Sequence, residues 1–156
     1  MLVLHAERIS REAFAPFGAL LDPAIDRPRI NFAGPTTNDR PAARANLAIV
    51  RPPVVASGVV IDVVERHPFS TQAFMPLDVA AYVIVVAPDG ADGQADLDRA
   101  RAFVVPGTTG IVYGVGTWHV GMSVLERPGG MAMLVHEDGT DDDCEYVTVP
   151  GFSVVW

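Results

Sequence analysis

Val64-Glu65-Arg66-His67-Pro68-Phe69-Ser70-Thr71-Gln72-Ala73-Phe74-Met75-Pro76 is the stretch on which the reading of this chain turns. Glu65 and His67 stand two apart, so a strand would point both to one face. With Gln72 they give three lone-pair donors within one short span. A fourth, His119 of Trp118-His119, comes from a distant segment. Two ligand-bearing strands facing each other across a barrel are a common way for a small all-β protein to hold one divalent metal. Imidazole and carboxylate suit Ni, Mn, Fe, Co or Zn, and an amide oxygen is a weaker ligand that leaves the metal electrophilic. The spacing has no zinc-finger specificity. A plainer reading also stands: His67 beside Pro68 capping a strand end, and Glu65-Arg66 as a surface pair.

The rest of the chain frames that motif. Its 156 residues fit one domain spanning 1–156. Apolar residues make up 49% and charged residues 19%, a globular rather than disordered balance. The net charge of −8, with no basic stripe, argues against nucleic-acid binding. Any anionic substrate must therefore be drawn in by local positive groups or a metal. Cys144 is the single cysteine, which excludes an internal disulfide and favours a reducing, cytoplasmic setting. The first residues lack a secretory pattern, and runs such as Val79–Ala87 are too short to span a bilayer, so no membrane association is expected.

Ser10 is placed to cap a short helix that Pro16 and Gly18 would end. Residues 22–46 read as a long loop with one short strand around Ile30–Phe32. Strands are expected at Asn46–Val50, Val59–Glu65, Ala73–Met75, Ala81–Ala87, Ala102–Val105, Gly110–Tyr113, Met131–His136 and Glu145–Val149. Ala95–Arg101 has helix composition, enough for one or two turns. Many short strands among 14 Gly and 13 Pro predict a mainly β fold, an antiparallel barrel or sandwich with one or two short helices. The glycines at 107, 110, 114 and 116 fit tight turns rather than a phosphate loop, since no Lys-Ser/Thr follows. The acidic run Asp138, Asp141–Asp143 lacks a calcium loop's terminal bidentate Glu and reads as a solvated turn. Cys144 has no evident base beside it.

The motif resembles two levels of known family. Glu65-x-His67-x₄-Gln72 and Gly116-Thr-Trp-His119 are similar to the paired motifs of cupin barrels, with two ligands exchanged in the first and Gly114 in place of the usual Pro in the second. The longer pattern LERHPxxTQAFxP resembles ureidoglycolate lyases. So do Tyr82–Ala87, the Arg101-Ala-Phe103 step, the glycine-rich run into Trp118-His119, Phe14-x-x-Phe17-Gly18 and Arg29-Ile30-Asn31. That resemblance implies a cupin-like, usually homodimeric barrel that splits ureidoglycolate into glyoxylate and urea in allantoin (purine) breakdown. It implies Glu65, His67, Gln72 and His119 at the site, with Arg66 in the same motif. The chain departs from the pattern at Val120-Gly121, where His-Pro is common, and at His136-Glu137, where Asp-Arg is common.

The expected chemistry follows from the substrate. Ureidoglycolate is a carbinolamide acid, and splitting it moves the hydroxyl proton to the departing nitrogen without consuming water. A divalent metal (Ni, Mn or Zn) chelated by carboxylate and hydroxyl oxygens would acidify that hydroxyl. His119 is the first candidate for ligand or proton relay and Glu65 the second. Arg29, Arg40, Arg66 and Arg101 are candidates to fork onto the substrate carboxylate, and Asn31 to bind the urea. Each of these also has an ordinary structural role open to it. A related α-hydroxy-amide or N-substituted hydroxyglycine substrate, or a non-catalytic small-acid binding protein, are the alternative readings.

Overall fold

The computed structural model describes residues 2–24 and 26–156. In chain order the elements are β1 (Val3–His5), β2 (Glu7–Arg8), α1 (Arg11–Phe14), β3 (Gly18–Leu21), β4 (Arg44–Val50), β5 (Val54–Val55), β6 (Val59–Arg66), β7 (Gln72–Pro76) and β8 (Ala81–Ala87). A 3₁₀ turn at Leu97–Arg99 follows, then β9 (Arg101–Pro106), β10 (Gly110–Tyr113), β11 (Trp118–His119), β12 (Ser123–Leu125), β13 (Met131–Glu137) and β14 (Glu145–Val155). Among the described residues nine strands form one sheet and five a second, the latter in the order β3-β10-β7-β13-β4. Together they make the mainly β, nearly closed barrel-like arrangement expected of a cupin-like fold. Most pairings are antiparallel. The short outer pairs β1–β14, β2–β9 and β5–β12 are parallel. No helix among the described residues is long and apolar enough to cross a membrane.

The core explains why β8 is an unbroken apolar run. Tyr82, Ile84 and Val86 face the space between the sheets, where they meet Phe14, Phe103, Ile111, Tyr113 and Met131. Val83 and Val85 face the other way, onto Ile61, Phe152 and Val154. A strand covered on both faces has no reason to alternate. Each such side chain, fully buried, contributes about 1.5–3 kcal/mol. Ser10 caps α1 by accepting from the Ala13 amide at 3.1 Å, as its position predicts.

Three local expectations change. The segment at Ile30–Phe32 forms no strand; Arg29 instead donates to the Asn31 side chain at 2.9 Å, and no neighbouring strand offers a ladder. Helix composition at 95–101 yields only the 3₁₀ turn, because Arg101 through Pro106 pair with β8 along its length. That long-range ladder outweighs a weak local preference. The last strand runs on to Val155, with a register shift between Thr148 and Phe152 absorbing Pro150-Gly151.

Candidate active site

The two sheets come together where the chain leaves β6, crosses at residues 67–71 and enters β7. Cross-strand register sets Glu65 directly opposite His119. In the second sheet Gln72 pairs with Tyr113. Glu65, His67 and Gln72 line a cleft of about 450 Å³ together with Arg40, Met133, Val135, Glu137, Cys144 and Tyr146. His119 does not line the open cleft. It is 2% exposed and lies against Glu65 and His67, with its ring centroid 5.5 Å from that of His67. A larger hollow of about 750 Å³, between residues 90–98 and Pro150-Gly151, carries the carboxylates of Asp92, Asp96 and Asp98 but no imidazole, thiol or cationic side chain.

Both imidazoles are fixed at one nitrogen. The Nδ1 of His67 lies 2.6 Å from the Asp143 carbonyl, and that of His119 lies 2.9 Å from the Thr117 carbonyl. A carbonyl can only accept, so each Nδ1 carries a proton, and in the neutral ring the lone pair is on Nε2. Neither Nε2 has a hydrogen-bond partner, nor has Gln72 Oε1, though all three are buried. Tyr113 stacks on His119 at 4.2 Å and 16°, holding the ring plane. The glycine turn also has a concrete part: Gly116, at φ +72°, donates its amide to the His67 carbonyl at 2.8 Å, tying the two site segments together.

The His119 Nε2 stands 3.4 Å from Glu65 Oε1. Burial pushes the Glu65 carboxyl up. The His119 imidazole beside it, with His67 and the Tyr146 hydroxyl, outweighs that effect and holds it below the usual carboxylate range. A proton or a cation between the Glu65 carboxylate and the His119 nitrogen would relieve the repulsion of their lone pairs. Among the described residues no three His, Cys, Asp or Glu side chains form a ready metal cluster. The set with Gln72 nevertheless fits a cation in its chemistry: three buried acceptors lack donors, and the His67 and His119 Nδ1–H groups each hold the kind of carbonyl contact that orients a metal-bound imidazole.

The other sequence candidates go to different places. Arg66 alternates to the opposite face from Glu65, where it bonds Glu145 at 2.6 Å and Asp89 at 3.0 Å and lies 4.3 Å over the Trp118 ring. Arg101 bonds Glu7 and the Ala13 carbonyl. Arg29 and Asn31 bond each other. None of these four lines the cleft; Arg40 does. Its guanidinium donates to the His136 carbonyl at 2.8 Å and pairs with Asp138 at 3.0 Å, while its Nε has no partner. Arg66→Lys is accordingly expected to cost about 1 kcal/mol through the lost fork and ring contact, without raising KM. Urea unfolding and steady-state kinetics measure the two effects separately; a raised KM would return Arg66 to the substrate.

Sequence reading passed over the acidic turn at 138–144. Far from being solvated throughout, it forms one wall of the cleft, and Asp143 is 3% exposed. Cys144 sits beside a base after all, its sulfur 3.8 Å from His67 Nδ1, but burial raises its thiol first and the charge of Glu65 raises it further. Nothing in a local charge run distinguishes a buried Asp from its exposed neighbours.

The comparisons with known proteins point the same way as the motif. The family model described as ureidoglycolate lyase matches residues 1–155. A Schizosaccharomyces pombe protein named ureidoglycolate lyase is 31% identical, over 91% of this chain and 89% of its own length. Proteins of the same name from Brucella ovis and Burkholderia cepacia are 33% and 32% identical, over 91% and 93% of this chain and 87% and 85% of theirs. With a full-length match and with Glu65, His67, Gln72 and His119 gathered about one cleft, the chain belongs to the ureidoglycolate lyase family.

Proposed function

We propose that the protein cleaves ureidoglycolate to glyoxylate and urea, as a step in allantoin breakdown, by elimination from the carbinolamide. The observation that carries this reading is the Glu65–His119 pair at 3.4 Å, its imidazole buried and its carboxylate half-buried on a cleft that Arg40 also lines. The names of its relatives support the substrate. Arg40 anchors the substrate carboxylate, in place of Arg29, Arg66 or Arg101. Glu65, which stays ionised, takes the proton from the substrate hydroxyl. Glu65 hands that proton across 3.4 Å to His119 Nε2, which passes it to the departing nitrogen. The hydroxyl carbon gains a C=O bond, the C–N bond breaks, and no water enters. A divalent cation held by His67 and Gln72 with either Glu65 or His119 would lower the pKa of the substrate hydroxyl and leave the proton transfer to the other of that pair.

The test is glyoxylate release from racemic ureidoglycolate, measured after chelation and after adding back Ni²⁺, Mn²⁺ or Zn²⁺. Turnover lost on chelation and restored by one of the three is the expected result. Absence of turnover with every metal rejects the activity, and full turnover after chelation rejects the cation. The same reading has the protein working in the cytoplasm as a homodimer. Leu47 and Ile49, exposed on the edge strand β4, favour a covered edge. Light scattering at the single-chain mass of 16.6 kDa would reject the dimer.

A further inference from the structure

We propose that Asp143 is the positioning residue of this site, fixing both the His67 ring and the Arg40 guanidinium. The inference rests on the reading above that Arg40 anchors the substrate carboxylate and that His67 belongs to the cation-binding set. Asp143 uses its backbone carbonyl and both carboxylate oxygens for the purpose. Its backbone carbonyl accepts from His67 Nδ1 at 2.6 Å. Its carboxylate Oδ1 accepts from the Phe69 amide at 2.6 Å. Its Oδ2 accepts from the Ser70 hydroxyl and pairs with Arg40 at 3.5 Å.

These contacts join three segments that nothing in the sequence links. The crossover 67–71 carries His67. Residues 37–39 run alongside that crossover, through the Asp39 amide to the Phe69 carbonyl and the Thr71 amide to the Thr37 carbonyl, and deliver Arg40. The acidic turn carries Asp143 itself. Apart from the Arg40–Asp138 pair at 3.0 Å, which grips the turn at its other end, little else holds it: Gly139 takes φ +84°, and Asp138, Thr140 and Asp142 otherwise bond among themselves. The Asp143 carboxylate is therefore what presents its own carbonyl to His67. That carbonyl keeps the proton on Nδ1 and the lone pair on Nε2, the nitrogen facing the chemistry. A carboxylate this buried, with three donors on its two oxygens, is costly to disturb.

The test compares D143A, D143N and S70A by steady-state kinetics and by ¹⁵N spectra of histidine-labelled, metal-free protein. Only four histidines contribute to such spectra. In D143A, kcat should fall about 10–100-fold, and the His67 nitrogens should lose their fixed Nδ1–H pattern. D143N keeps an acceptor for the Phe69 amide but loses the charge facing Arg40. It should keep that pattern and hold kcat within about threefold while KM rises. S70A should fall between the parent and D143A in both readouts. A merely structural role would lower the melting temperature and leave the kinetic constants of the folded enzyme and the tautomer pattern alone. Folded D143A with parental kcat, or with an unchanged His67 pattern, overturns the proposal. If D143A does not fold, an unchanged KM in D143N together with a parental S70A overturns it. If the parent itself does not turn over ureidoglycolate, the function assigned above fails, and the ¹⁵N spectra still decide the positioning role.

Discussion

His119→Ala should lower kcat for glyoxylate release about 10²–10⁴-fold, the range that a positioned proton-transfer group supplies, while the protein stays folded. The ring sits directly across from Glu65, with its Nε2 held toward that carboxylate by the bond from Nδ1 to the Thr117 carbonyl. Neither other imidazole at the cleft stands in register with Glu65: His136 lies on β13, in the second sheet. The His67 ring is 5.5 Å away and tied to a different carbonyl. Removing the ring also removes the stack on Tyr113, so some stability is lost, but the surrounding strands keep their ladders to β6 and β8. Far-UV circular dichroism establishes folding and steady-state kinetics the activity. Near-parental kcat in a folded H119A protein would remove His119 from the mechanism and leave Glu65 to be explained without it.

Trp118→Ala should cost about 3–5 kcal/mol, the usual penalty for deleting a large buried aromatic side chain. Trp118 has no solvent exposure. It packs against Val64 and Ala87, donates from Nε1 to Asp89 at 2.9 Å, and carries the Arg66 guanidinium on its face. Since domains of this size are held by roughly 5–15 kcal/mol in total, the variant should lose a large share of its stability. Trp118→Phe keeps most of the volume and loses the indole donor, leaving Asp89 to Arg66 alone, so a cost of about 1–2 kcal/mol is expected. Urea titrations give both values, with Trp156 as the remaining fluorophore. Little change in the alanine variant would mean that this corner of the barrel collapses easily and that the Arg66–Trp118–Asp89 contact is no clamp.

The same contact shows where local reasoning succeeds and where it stops. Glu65 and His67 were legible as partners because a two-residue spacing on a strand fixes their common face. That alternation turns Arg66 away from them, yet a motif read as a unit kept Arg66 with the substrate. Arg40 was named without being singled out, and Asp143 was read as part of a solvated turn. Arg40 was one of several equivalent arginines, and Asp143 one acid in a run. Their burial and pairing arise from contacts across 96 and 103 positions of chain, between 40 and 136 and between 40 and 143. No local pattern encodes pairings of that length.

By itself the sequence determined the strand composition, the two-residue register of Glu65 and His67, the cap at Ser10 and the family to which the motif belongs, because these follow from neighbours in the chain. Only the tertiary structure decided which cation reaches the cleft, which nitrogen of each imidazole stays free, and that an acidic turn becomes a wall. Those outcomes depend on long-range ladders and on the need to satisfy buried polar groups, which are settled when distant segments meet.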